Sequence, residues 1–328
     1  MREKWFEDFE QRARRFWTPE RTLGLFGDKC LAFPPVSHGP LLRSMDLLQR
    51  DASMSPESVR KYQQICHMYL VIEPPLTDQA KLHDEVRVLD LACGNSYLTL
   101  TIAEGFRSRI QRPARILGVD RNARLIEACR DRAWRLRIDD MLRFETSSID
   151  ALDVPSVWSR AFSAPPGDPP VHLLVSLHAC DTATDDAIAL GLALNVPVMA
   201  VVPCCQAELA KRWASDTGPP GDPLEPIRHW PHLRRELAAT MTDTLRALLL
   251  RGCGYHTTPI EFVPTAHTPK NTLLRAVRSD PATPASFAEY LAMRRLAGDV
   301  RLRLERILPS PFRERLASEE ASAVPQTA

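Results

Sequence analysis

Residues Val86 to Tyr97, read Val-Arg-Val-Leu-Asp-Leu-Ala-Cys-Gly-Asn-Ser-Tyr, constrain the fold of this chain more than any other stretch. The run from Val86 to Leu91 is short, apolar and rich in β-branched residues, the pattern of a buried strand. Ala92 to Ser96 is a turn of small residues. From Tyr97 to Phe106 apolar side chains recur at helical spacing, with Leu98, Ile102 and Phe106 on one face. A strand, a tight turn and a helix in this order let the backbone approach a ligand closely, with the first helical amides aimed at it. A second apolar strand, from Ala114 to Asp120, ends in an acid roughly 30 residues after Asp90.

In nucleotide-binding α/β units an acid in the place of Asp120 grips ribose hydroxyls, because a carboxylate accepts both hydrogen bonds of a cis-diol. NAD and S-adenosylmethionine are the two ligands that such a unit leads to. A dinucleotide loop wants G-x-G-x-x-G, since the pyrophosphate must lie against bare backbone. Here Gly94 is flanked at the other small positions by Ala92 and Ser96, a poor pyrophosphate loop. Asp90-x-Ala92-x-Gly94-x-Ser96 resembles motif I of the class I S-adenosylmethionine-dependent methyltransferases, acid-x-G-x-G-x-G. That resemblance implies S-adenosylmethionine as cofactor. It implies that Asp90 bonds the methionine end, directly or through water, and that Asp120 holds the ribose, with Ala92 and Gly94 in the loop.

The chain of 328 residues is long enough for one large α/β domain with appendages, or for two domains. With 42 Lys and Arg against 41 Asp and Glu, it lacks the strongly basic balance that is the simplest sign of a nucleic-acid partner, though a local patch stays open. The N-terminus has no signal-peptide core, no run is apolar enough to span a bilayer, and the eight cysteines lack secreted-domain spacing. These features lead to the expectation of a cytoplasmic protein with free thiols and no membrane partner.

Residues 1–75 read as a helical extension. Trp5, Phe6, Phe9, Ala13, Phe16 and Trp17 form a stripe at helical spacing, suited to packing on the main domain or to capping a substrate. Ser55-Pro56-Glu57-Ser58 opens a helix, with Ser55 as cap and Pro56 in the first position. Pro74-Pro75 is expected to end the segment. Residues 76–280 alternate strand and helix, which argues for a mainly parallel sheet. Strands are expected near 141–146, 171–177, 196–202, 255–263 and 271–277. Together with the first two, these make the seven of the class I methyltransferase fold, a Rossmann-like α/β sheet closing on an antiparallel pair. In that family the end of the third strand holds adenine, which Ser148 and Ile149 match by position. Residues 207–231 read as a loop rich in Pro and Gly, a candidate lid. Residues 281–328 read as a helical C-terminal segment, with disorder expected from about Ala317.

In an open α/β sheet the ligand crevice lies at the carboxyl ends of the central strands. Here the fourth and fifth strands end in His178-Ala179-Cys180-Asp181 and Pro203-Cys204-Cys205-Gln206. Leu177-His178-Ala179-Cys180, Cys204-Cys205 and Thr242-Asp243-Thr244-Leu245-Arg246-Ala247 resemble one branch of the superfamily. That branch includes the eukaryotic tRNA ribose 2′-O-methyltransferases of the acceptor stem and methyltransferase-like relatives, which implies an RNA acceptor. A protein or small-molecule acceptor, or a non-catalytic module binding S-adenosylmethionine or a metal, are the alternatives. For the chemistry, His178 suits proton removal near neutrality. Cys204 or Cys205 suits attack on a pyrimidine ring, although the Pro-Cys-Ser and Thr-Cys-Ser motifs of 5-methylcytosine enzymes are absent. His178, Cys180, Cys204 and Cys205 could instead bind zinc, but adjacent cysteines rarely serve one tetrahedral ion, so no metal is expected. The thiols also fit as small buried hydrophobes. His267, Lys270 and Asn271 sit in the last hairpin, where a plain turn or contact with a substrate phosphate or carboxylate both fit.

Overall fold

The computed structural model describes residues 2–164, 171–177, 179, 181–203, 206–215, 222–261, 272–279 and 286–322. Seven strands form one sheet: β1 (Val86–Leu91), β2 (Ala114–Asp120), β3 (Leu142–Thr146), β4 (Leu173–Ser176), β5 (Val198–Val201), β6 (Tyr255–Glu261) and β7 (Thr272–Arg278). Their order is β3-β2-β1-β4-β5-β7-β6. β1 with β2, β2 with β3 and β4 with β5 run parallel, whereas β7 is antiparallel to both β5 and β6. This is the seven-stranded, Rossmann-like class I methyltransferase sheet expected from the sequence. Among the described residues, two compact units divide it: one up to His172, the other from Leu173 on.

In the first unit the helices are α1 (Arg2–Phe16), α2 (Pro19–Phe26), α3 (Gly39–Ser44), α4 (Pro56–Leu82), α5 (Tyr97–Gly105), α6 (Ala123–Arg135) and α7 (Val154–Phe162), with one π turn, Phe106–Ile110. Val86, Val88, Leu89 and Leu91 are all buried, as a strand covered on both faces requires. Gly118 pairs with Phe144 across the parallel ladder, and a Cβ there would lie 2.6 Å from the phenyl ring, so close packing demands glycine. Phe9, Ala13 and Trp17 of the N-terminal stripe turn inward, and the Trp17 indole donates to Ala52 O at 2.9 Å.

The segment before β1 does not end at Pro74-Pro75. Ser55 caps α4 through Ser58 N as expected, but the helix runs through both prolines to Leu82. The two rings leave the carbonyls of Leu70 and Val71 without their amide partners. The buried face Tyr69-Ile72-Leu76-Ala80 continues across the interruption, and its burial outweighs the lost rungs.

In the second unit the helices are α8 (Thr182–Ala193), α9 (Ala207–Ser215), α10 (Glu225–His229), α11 (Pro231–Gly252), α12 (Ala288–Leu296), α13 (Arg303–Arg306) and α14 (Ser310–Ser322). Every residue of β4 and β5 is buried. Two expectations are corrected here. The stretch 207–231 is not one loop: α9 buries Leu209, Ala210 and Trp213 on one face, and α10 follows. Its Pro and Gly are concentrated after α9, so composition averaged over the whole stretch hid the helix. The tail is ordered past Ala317, as α14, because charge replaces apolar periodicity as its anchor. Glu319 accepts from Ser286 Oγ at 2.6 Å and from Phe287 N at 2.7 Å, while Glu320 pairs with Arg294 and Arg301.

Candidate active site

The turn after β1 holds three residues in the left-handed region at alternate positions: Ala92 (φ 55°), Gly94 (φ 54°) and Ser96 (φ 58°). These are the three glycine positions of the motif that the sequence resembles. The backbone path of a glycine-rich loop is therefore kept although two glycines are gone, at a strain of roughly 1–2 kcal/mol for each side chain. Three bonds fix that path. Cys93 N donates to Val119 O at 3.0 Å, Ser96 N donates to Cys93 O at 2.8 Å, and Gly94 N donates to Asp120 Oδ2 at 2.9 Å. Ser96 then precedes α5 without a side-chain cap, so the first amides of α5 face the turn with no side-chain acceptor.

The two acids selected from the sequence are brought to this turn, and they differ. Asp90 is buried. Thr99 Oγ1 donates to its Oδ2 at 2.6 Å, while Oδ1 is buried with no hydrogen-bond partner. Burial pushes its carboxyl up to about 7, the Asp120 charge adds to the rise, and the Thr99 bond opposes it. Asp120 is half-buried, and each of its oxygens accepts one backbone amide: Oδ2 from Gly94, Oδ1 from Asn122 at 2.8 Å. One lone pair on each oxygen is left for a diol.

Ser147 N donates to Asp120 O at 3.1 Å, which draws the end of β3 to the end of β2. Ser148 beyond it is exposed and Ile149 half-buried. Ala92, Gly94, Asp90 and Asp120 thus share one small region, with Ser148 and Ile149 on the neighbouring strand end. Sequence reasoning missed Thr99, which holds Asp90. It also missed Arg132, which donates to Asn95 O at 3.0 Å, and Cys129, whose thiol lies 3.4 Å from Gly94 O. None of the three has a spacing signature, because each is chosen by helix packing.

The other selected residues lie outside the described ones: His178, Cys180, Cys204 and Cys205, and His267, Lys270 and Asn271 of the last hairpin. Their described neighbours in the second unit form a buried polar cluster. Arg246 of α11 is only 2% exposed, pairs with Asp185 at 2.8 Å and Asp243 at 3.2 Å, and donates to Asp181 O at 2.9 Å. Asp181 Oδ1 in turn accepts from Ala207 N and Glu208 N, capping α9. Gln206 donates to Asp243 Oδ2 at 2.8 Å. Burial pushes the Asp243 carboxyl up to about 6, against the pull of Arg246 and Gln206. Among the described residues no group of His, Cys, Asp and Glu is placed to hold a metal ion, no helix is long and apolar enough to cross a membrane, and five cysteines are free thiols.

The sheet order and the turn define a Rossmann-like methyltransferase fold. Residues 60–212, a little under half of the chain, match the family described as "Methyltransferase domain". No curated protein matches the sequence. Solved structures that resemble it include the methyltransferase PaMTH1 of Podospora anserina bound to S-adenosylhomocysteine. That match has 12% identity, covers 74% of this chain and 88% of that one, and has a TM-score of 0.41. Magnesium protoporphyrin IX methyltransferase from Synechocystis PCC 6803 matches at 14% identity, with 73% and 93% of the two chains covered and a TM-score of 0.37. The Pyrococcus abyssi tRNA (uracil-54, C5)-methyltransferase matches at 14% identity, with 64% and 38% covered and a TM-score of 0.33.

Proposed function

We propose that this chain is an S-adenosylmethionine-dependent methyltransferase and that its acceptor is RNA. The observation that carries the cofactor reading is Asp90 Oδ1, a buried acceptor with no partner at the end of β1. A buried polar atom left unpaired costs about 1–3 kcal/mol, so a site with a missing donor is one that a ligand amine completes. The α-ammonium of a methionine moiety is such a donor, and its charge would hold Asp90 ionised. The uncapped start of α5 suits the carboxylate of the same moiety. Asp120, braced by Gly94 and Asn122, offers its remaining lone pairs to the ribose hydroxyls. Ser148 and Ile149 are assigned to the adenine.

The chemistry supplied by bound S-adenosylmethionine is a sulfonium methyl open to in-line attack. What the chain adds is alignment and proton removal. His178 is assigned the proton of the attacking group, since an imidazole accepts it near neutral pH. Cys180, Cys204 and Cys205 are assigned to the acceptor side, and His267, Lys270 and Asn271 to substrate contact. The RNA reading is supported by the Leu177-His178-Ala179-Cys180 and Cys204-Cys205 resemblance.

Calorimetry tests the cofactor. Wild type should bind S-adenosylmethionine, and Asp120→Ala should bind about 10- to 100-fold more weakly, since charge-assisted bonds contribute roughly 1.5–3 kcal/mol each. Tight NADH binding with no S-adenosylmethionine binding overturns the reading. Incubation with radiolabelled S-adenosylmethionine and fractionated cell extract tests the acceptor. Label should enter RNA, and label found only in protein or small molecules overturns that part.

A further inference from the structure

The second unit has a groove of about 1040 Å³, bounded by α9, the N-terminal half of α11, and Pro259 and Thr272 of β6 and β7. Small apolar residues from α9 and α11, Ala207, Ala210, Ala214 and Ala239, form much of its wall. Its cations are Lys211, Arg234 and Arg235, with the imidazole of His232 beside them in the lining; its acids are Glu236 and Asp243. His232 and Glu236 lie 3.4 Å apart and engage each other. Asp243 is held by Gln206 and Arg246. Lys211 is largely exposed and lies 3.9 Å from Asp181, an exposed-side pairing that solvent screens. Arg234 donates one NH to Arg228 O and keeps a buried Nε with no hydrogen-bond partner. Among the described residues Arg234 and Arg235 pair with no acid and Lys211 only with Asp181, so the permanent cations of the groove outnumber its two acids.

Beside this rim stands Trp230. It is the residue before α11, two positions ahead of groove-lining His232, and is 60% exposed. Its ring meets His229 edge-on at 5.2 Å. Pro231 in the first helical position fixes the backbone that follows, so the indole is presented from a rigid corner. An exposed indole two positions ahead of a groove wall that carries Arg234 and Arg235 offers a stacking platform near an anion track.

We infer that this groove and Trp230 form a binding surface for single-stranded nucleic acid. One base stacks on Trp230, and the flanking phosphates lie against Lys211, Arg234 and Arg235. Asp243, at the inner wall, repels phosphate but accepts a hydrogen bond from the amino group of a base. Trp230 stands outside the lining of the groove, so an occupant that reaches both is a chain segment and not a mononucleotide. An acidic peptide matches the charge but gives the exposed indole no partner. The inference rests on the reading of RNA as acceptor and names the surface that receives it.

Anisotropy of a fluorescein-labelled, unstructured 12-nucleotide RNA titrated with the full chain tests it. The single strand should bind at least about tenfold more tightly than the same sequence as a duplex. Trp230→Ala should weaken binding about tenfold or more, and Trp230→Phe should restore most of it. Lys211→Ala with Arg235→Ala should weaken binding and lower the salt-dependence slope by about 1–2. Wild type that fails to bind the RNA, or Trp230→Ala that binds it unchanged, overturns the inference. So does an acidic 12-residue peptide that binds more tightly and loses affinity in the same variants. S-adenosylmethionine titrated separately into wild type keeps the two readings apart, because loss of cofactor binding sinks the methyltransferase reading and leaves the RNA titration interpretable.

Discussion

Asp90 in the first unit and Asp185 in the second are both carboxylates taken out of water, but their surroundings close differently. Asp185 meets a guanidinium, and that guanidinium also binds Asp243 and the carbonyl of Asp181. Both carboxylates around Arg246 find their counter-charge within the chain. Among the described residues Asp90 has one hydroxyl donor, no counter-charge at bonding distance and one oxygen with nothing to accept from. Beside it the backbone of Ala92 and Ser96 is held in a conformation that their side chains disfavour. A cluster satisfied from within is part of the scaffold; a cluster left short of one cation reads as a binding site.

Removing Arg246 should have the largest effect. Arg246→Met leaves Asp185 and Asp243 buried without their cation, which typically costs about 3–5 kcal/mol. Urea unfolding at pH 7 measures it. The loss should shrink as the pH falls through about 6, where Asp243 takes up a proton, and burial raises Asp185 in the same direction. A loss below about 1 kcal/mol would remove the cluster's scaffold role.

Asp90→Asn should act in the opposite direction. Burial raises the folded-state carboxyl to about 7 against an ordinary value of 3.8, so the ligand-free protein favours the protonated form. Stability from this group is fully present below about pH 4 and is lost as pH rises through 7. Asp90→Asn should therefore stabilise the ligand-free protein by on the order of 2–4 kcal/mol at pH 8 and by little at pH 4. The same variant should lose S-adenosylmethionine binding in calorimetry. In wild type, that binding should release a proton near neutral pH and strengthen as pH rises from 5 to 7. A variant that binds the cofactor normally, or is destabilised at pH 8, breaks the contrast with Asp185.

Ala92→Gly should have the smallest effect. It relieves a positive φ and should raise the unfolding free energy by about 1 kcal/mol, part of the gain being offset by the greater freedom of glycine in the unfolded chain. Thermal unfolding with and without S-adenosylmethionine separates the two ways in which the loop matters. An equal gain in both states means the strain is only residual, whereas a gain confined to the ligand-free state means that ligand contact already compensates it.

Much of the first unit was legible because its signals are local. Val86 to Leu91 is a buried run in sequence and in space, Asp90 lies one residue before the end of its strand, and Asp120 ends the next. The interior of α4 was not legible, since Pro74-Pro75 is a strong local stop that burial on both sides overrides. The cluster around Arg246 was equally hidden. Asp185 and Asp243 are visible as acids, but only the folded chain brings Arg246 to Asp185, 61 positions away, and to the carbonyl of Asp181, 65 positions away. Within 242–247, Asp243 and Arg246 hold this cluster together.

The paired prolines of α4 carry a kinetic consequence. Two successive rungs of the amide ladder are missing, so opening that starts at Leu82 does not run on to Ser55, and the helix breathes as two pieces. The piece after Pro75 is tied down by the burial of Leu76, Gln79 and Ala80 and by Arg112 donating to Ala80 O at 3.2 Å. Amide hydrogen exchange should show two separate protection levels along one continuous helix, with the step at the prolines and the slower exchange on the side of Tyr62 and Tyr69, which are both fully buried.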